Sequence, residues 1–144
     1  MKRFSFNLEK VLSLRKHREQ ETEIELGRAI GVLTEIEQNI RSVAEERYRA
    51  GDLFSGNGEM VRSYMLYCSR LDLQKEQLLE EAVQAEMKVE EARDIYIEAS
   101  RERKVLDKLK EKRSGEYRKF ILTEETKAMD DLATSRGLLK TVTH

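Results

Sequence analysis

No proline occurs in the 144 residues of this chain, and that constrains its fold more than any other feature. Proline in a helix interior removes a hydrogen bond and clashes with the preceding turn, at about 3 kcal/mol. Loops tolerate it well, so a chain without proline is a chain with few loops. Helix breakers gather at one place only, at Gly51-Asp52 and Gly56-Asn57-Gly58. Glycine and asparagine tolerate the positive φ that a helix end and a chain reversal require. The pattern predicts an all-α chain: a single domain over 1–144, with helix 1 at about 5–50, a turn at about 51–58 and helix 2 at about 59–141.

Charged residues make up 38% and apolar residues 39% of the chain, and tryptophan is absent. The charged share exceeds the globular norm of about 25%. Such a composition supports a thin seam between two helices, not a thick core. In helix 1, Leu12, Leu26, Leu33 and Ile40 fall on one heptad position. Leu8, Ala29, Ile36 and Val43 fall on the other. Arg15, Glu19 and Thr22 interrupt this seam and predict a stretch that packs loosely or faces something else. In helix 2 the seam reads Tyr64, Cys68, Leu71, Lys75, Leu78, Ala82, Ala85, Val89, Ala92, Tyr96, Ala99, Arg103 and Leu106. The alanines allow close backbone approach, and a 3.5-residue repeat implies a left-handed supercoil. The expected architecture is a long two-helix antiparallel coiled-coil hairpin with the second helix longer than the first. Ser5 is the expected N-cap, with Phe4 ahead of it in a staple-like arrangement.

The helices are unequal, at roughly 70 Å and 125 Å for 1.5 Å per residue. If the hairpin closes near residue 55, Leu8 pairs near Glu102, and helix 2 has no partner within the chain beyond about Lys108. That overhang carries Leu109, Tyr117, Phe120, Ile121, Leu122, Met129, Leu132, Leu138 and Leu139. An exposed apolar stripe of this kind marks a contact surface, so the sequence predicts a partner or self-association there.

Little in the chain points to catalysis. The two histidines are His17 and the terminal His144, and Cys68 is alone. A lone cysteine forms no disulfide within the chain and argues against a cysteine-based metal site. No zinc-protease, phosphate-loop or nucleophile-elbow motif occurs. Glu90-Glu91 and Asp130-Asp131 read as solvated helix faces. The expectation is a non-enzyme with no catalytic, cofactor-binding or metal-binding residues and no cofactor. Net charge is −1, but residues 1–18 carry Lys2, Arg3, Lys10, Arg15, Lys16 and Arg18 against Glu9 alone. A basic patch over one whole face is missing, which argues against nucleic acid; the basic end suits an acidic partner. No stretch reaches the ~20 apolar residues of a membrane span, and no secretory h-region follows the basic N-terminus. A soluble cytoplasmic protein is expected. Tyr48, Tyr64 and Tyr67 gather near the tip, where seam packing and a docking patch remain equally open readings.

Two segments carry a resemblance. The run Phe4-Ser5-Phe6-Asn7-Leu8-Glu9-Lys10-Val11-Leu12, continuing to Leu14-Arg15 and Glu19, resembles the opening of the flagellar export protein FliJ family. Glu125-Thr126-Lys127-Ala128-Met129-Asp130-Asp131-Leu132-Ala133, followed by Arg136, resembles that family's E-x-K-x-x-D-E-x-A signature, with Asp131 where Glu is commoner. The resemblance implies an antiparallel coiled coil similar to the gamma stalk of rotary ATPases. It implies a non-enzymatic coupling component of the flagellar type III export apparatus, cytoplasmic and at the base of the flagellum. Its implied partners are the export ATPase hexamer, the cytoplasmic domain of the export gate protein FlhA, and export chaperones. Membrane association would then be peripheral and through partners only. The implied ATPase-end residues are Arg15, Arg18, Phe120, Lys127, Met129, Leu132 and Arg136. The implied gate-end residues, near the hairpin tip, are Tyr48, Phe54, Tyr67, Leu71 and Leu78. Three other readings stay open at this point: an escort for export substrates or their chaperones, the stalk protein of a virulence-type secretion system, and a coiled coil that simply oligomerises.

Overall fold

Two long helices packed against each other account for nearly the whole chain. In the computed structural model, α1 spans Glu9–Phe54, a 3-10 turn spans Gly58–Met60, and α2 spans Val61–Val142. The structure describes residues 3–54 and 58–142, and side chains within them except those of 54 and 138–142. Among the described residues there is no strand. The architecture is the all-α helical hairpin that the proline-free sequence predicts, with the longer helix second.

The chain divides into two compact units. Unit 1 comprises Met1–Lys16 with Arg101–His144, and unit 2 comprises His17–Ser100. In unit 2 the heptad reading holds closely. Val43, Cys68, Leu71, Ala85, Val89 and Ala99 are buried, and Leu26, Leu33, Ile36, Ile40 and Leu78 are half-buried. Lys75 is the exception on α2: it occupies a seam position yet is exposed, its ammonium kept in water as a long charged side chain allows. Thr22 does not loosen the seam as expected. It is buried, and its hydroxyl donates to the Glu19 carbonyl at 2.8 Å. A backbone acceptor one turn back satisfies the polar atom, so a threonine substitutes for an apolar residue at little cost.

Helix 1 ends later than the glycines suggest. Gly51 and Asp52 lie inside α1, which continues to Phe54. Ala50 is buried, and a side chain added at Gly51 would meet the Tyr64 hydroxyl at 3.5 Å. Packing against α2 thus holds the last turn in place and overrides the glycine's helix propensity, which amounts to about 1 kcal/mol. Gly56 and Asn57, assigned to the turn by the sequence, lie outside the described residues.

Helix 1 also begins later than expected. Ser5 is not the cap. The Leu8 carbonyl accepts the Leu12 N–H at 2.9 Å, and the Glu9 N–H donates to the Phe6 carbonyl at 3.1 Å. Leu8 therefore occupies the N-cap position and Glu9 opens the helix, its charge suited to the positive end of the helix dipole. Residues 4–8 are a strap instead of a first turn. Phe6 is buried, and the Arg113 guanidinium sits 5.7 Å from its ring centroid. Arg113 Nη1 donates to Asn7 Oδ1 at 2.6 Å. The Phe4 ring packs 5.7 Å from that of Tyr117, tilted by 41°. Burial of the two phenylalanines outweighs the few backbone bonds that four more helical residues would supply.

The strap has a consequence for the overhang. Helix 2 keeps a partner to Tyr117 and Ile121, about three turns beyond the Lys108 that a uniform hairpin gives. In the same unit Leu12 is 1% exposed, and Arg15 Nη1 meets Glu102 Oε2 at 2.5 Å. Lys110 Nζ pairs with Glu9 Oε2 at 2.8 Å. Arg15 is a seam residue with a cross-helix partner, so the stretch it begins is not loosely packed. From Leu122 to Gly137 every residue is exposed.

Candidate functional site

The terminal arm of α2 is the first candidate surface. At about 100° per residue, Ile121, Leu122, Ala128, Met129 and Leu132 fall within one arc of about 120°. Met129 is 73% exposed, Leu122 62% and Leu132 61%. Glu125 and Arg136 share the arc, so the apolar face has a charge of each sign on it. Phe120 and Lys127 fall outside the arc, as do Asp130 and Asp131. The residues assigned to this end therefore split. Met129, Leu132 and Arg136 share a face; Phe120, 59% exposed, and Lys127 lie on another side of the same helix. Thr123, Thr126 and Thr134 donate to carbonyls four residues back, which leaves the arm's hydroxyls satisfied by the helix itself. Leu138 and Leu139, counted in the stripe from the sequence, have side chains outside the described residues.

Arg15, assigned to the same end, is half-buried and paired to Glu102. Arg18 is exposed and belongs to unit 2. Sequence periodicity missed the strap residues Phe4, Phe6 and Arg113. The signal was present as two phenylalanines ahead of a helix start, but nothing local said that they reach α2 across more than a hundred residues.

The second candidate surface lies in unit 2, where α1 ends and α2 begins. Tyr48 is 75% exposed and borders a groove with Gly51, Tyr64, Leu71 and Asp72. Arg47 pairs with Asp72 across the two helices. Tyr67 borders a separate groove on the other flank, with Glu46, Ala50 and Leu53 and no residue in common with the first, and its hydroxyl donates to Glu46 Oε2 at 3.3 Å. Leu71 is 3% exposed, so it supports this surface from beneath and does not form part of it. Leu78 is half-buried in the seam. The Phe54 side chain lies outside the described residues. Exposed Leu53, Met65 and Leu66 add apolar area; Met65 and Leu66 sit off the seam positions, which is why the heptad reading passed over them.

Electrostatics here favour neutral phenols. Desolvation and the Glu46 carboxylate beside it push the Tyr67 hydroxyl above its usual range. The Tyr64 hydroxyl is also raised, chiefly by its hydrogen bond to the Cys68 sulfur. Both rings stay protonated well above neutral pH, so they present uncharged polar tips on apolar bodies. Cys68 itself is buried. No group of three or more His, Cys, Asp or Glu among the described residues is arranged to hold a metal ion.

Among the described residues, the two surfaces present apolar side chains and a few charges. The model of the family described as "Flagellar FliJ protein" matches residues 4–140. The chain belongs to the flagellar FliJ family. Its matched region runs from the strap through the terminal arm, so both segments that carried the resemblance lie inside it. Membership makes the chain a component of the flagellar export apparatus, in a family that is non-catalytic. No curated protein and no solved structure matches the chain. Among the described residues, no helix is long and apolar enough to cross a membrane.

Proposed function

We propose that this FliJ-family chain is a non-enzymatic stalk of the flagellar export machinery, in the cytoplasm at the base of the flagellum. Its terminal arm binds the export ATPase ring, and the Tyr48–Tyr67 region binds the cytoplasmic domain of the gate protein FlhA. The observation that carries the first contact is the arm itself: residues 122–137 are all exposed, yet Leu122, Met129 and Leu132 make one apolar face. A helix whose apolar face stays exposed among the described residues is suited to a groove or ring that covers it. Exposed Tyr48, and Tyr67 with its neutral phenol beside exposed Leu53, suit the second contact.

The test is ATP hydrolysis by the cognate export ATPase, with oligomer size by light scattering. The chain should stimulate hydrolysis and shift the ATPase towards its hexamer. Met129→Ser with Leu132→Ser should keep full helicity by circular dichroism and lose about tenfold or more in potency. A parent chain that neither binds nor stimulates removes the ATPase contact. Tyr48→Ala should weaken FlhA binding and leave ATPase stimulation unchanged; equal loss of both would remove the division between the two surfaces.

A further inference from the structure

A groove along one flank of unit 2 belongs to neither surface. It runs beside the seam from Thr22 to Ile36 on α1 and from Gln77 to Ile95 on α2. Its floor is small or apolar: Ala29, Ile36, Ala85 and Ala92. Val32 and Ile95 stand on it at 53% and 51% exposure. Neither residue serves the hairpin seam, yet both face the same channel. Alanines on the floor let a third backbone come close, as in helix packing generally.

Charge says what kind of chain fits. Unit 2 holds 10 Lys and Arg against 19 Asp and Glu, a net of −9, while unit 1 holds 17 against 9, a net of +8. On the groove's rim, Arg28 is spent on Glu25 at 2.7 Å. Glu80, Glu81 and Glu91 remain, with Lys88 the opposing charge among the residues lining it. The groove is therefore an apolar floor with an acidic wall along α2 and a charge-balanced one along α1. From Gln77 to Ile95 it is about 27 Å long, which accommodates about five helical turns.

We infer that this flank is a docking groove for an amphipathic helix with basic flanks, about 18 residues long, supplied by a partner protein other than those of the two surfaces above. The helix lays its apolar stripe on Val32 and Ile95 and directs Lys or Arg at Glu80, Glu81 and Glu91. Apolar contact sets residence time, and the acidic α2 wall steers encounter and selects the sign of the partner.

The test uses the full-length chain and two fluorescent helical peptides of about 18 residues, one with a leucine stripe flanked by lysines, one with the same stripe flanked by glutamates. Binding is read by anisotropy at about 0.05 M and about 0.5 M salt. The Leu/Lys peptide should bind, more weakly at the higher salt, and the Leu/Glu peptide should not. Val32→Asp with Ile95→Asp should weaken the Leu/Lys peptide about tenfold or more. This variant is the sharp arm, because it makes the flank more acidic. Unspecific attraction of a cation would rise, whereas groove binding falls. Both residues are half exposed, so helicity should survive. Glu80→Lys, Glu81→Lys and Glu91→Lys together should exchange the preference between the peptides, and they report independently of the apolar pair. Equal or tighter binding of the Leu/Lys peptide by the aspartate variant overturns the proposal, as does equal binding of both peptides by the parent. Concentration-dependent dimerisation abolished by the same aspartates also overturns it, in favour of a second copy as the occupant.

Discussion

Unit 2 and unit 1 are built from the same two helices, yet they are held in different ways. In unit 2 each helix supplies what the other buries. Valines, leucines and alanines alternate through Val43, Leu71, Ala85 and Val89, and the heptad repeat accounts for almost every inward position. In unit 1 the first helix runs out before the second. A strap of five residues extends the cover, Arg15–Glu102 and Lys110–Glu9 tie its flanks, and then α2 continues bare. The contrast separates two uses of an apolar residue. Leu71 at 3% exposure is held inside the seam; Leu132 at 61% leaves most of its side chain in solvent.

The widest test of that contrast places one charge in each position. Leu71→Asp should destabilise the hairpin by about 3–5 kcal/mol, since it deletes a buried leucine side chain and puts a carboxylate in its place. Leu132→Asp should stay within about 0.5 kcal/mol of the parent, as exposed substitutions do. Thermal melts followed by circular dichroism decide it; similar losses in the two variants would mean that the arm packs within the chain after all.

A narrower test concerns the strap. Phe6→Ala should cost about 2–3 kcal/mol, somewhat less than a fully enclosed phenylalanine, and the loss should be local. Amide exchange should accelerate in α2 around residues 105–118 and in the first turns of α1, with little change at residues 61–89. Acceleration spread evenly along the chain would show that the strap is not a separate element.

The smallest expected effect runs the other way. Gly31 lies in the middle of α1, with open space where a Cβ would stand. Gly31→Ala should stabilise unit 2 by about 0.5–1 kcal/mol, because alanine loses less backbone entropy on becoming helical. An unchanged or lowered melting temperature would mean that the position makes a contact the open space does not suggest.

Much of this was legible in the residues. Heptad spacing picked out Leu12, Leu26, Ile36, Val43 and the α2 run from Cys68 to Ala99, because an inward position repeating every 3.5 residues is written directly into the sequence. Met129 and Leu132 could likewise be placed on a helix that outruns its partner. Less legible were features that depend on contacts between distant positions. Ser5 has every local mark of a cap, but Phe6 is drawn to α2 and the helix begins at Glu9. Gly51 reads as a terminator, but buried Ala50 and the neighbouring Tyr64 hydroxyl of α2 accompany a helix that runs through it. Phe120 differs from these: the 100° spacing of the helix alone sets it on another side from Met129, so that separation was legible in the sequence.

By itself the sequence determined that the chain is helical, that two long helices pack as a hairpin with the second the longer, and most of the positions that form the seam, since propensity and periodicity are local. Tertiary structure decided where α1 starts and stops, how Arg15 and Thr22 are accommodated in the seam, and where α2 becomes bare. Those outcomes balance burial of a few side chains against a few backbone hydrogen bonds, and the balance is struck only when residues a hundred positions apart come into contact.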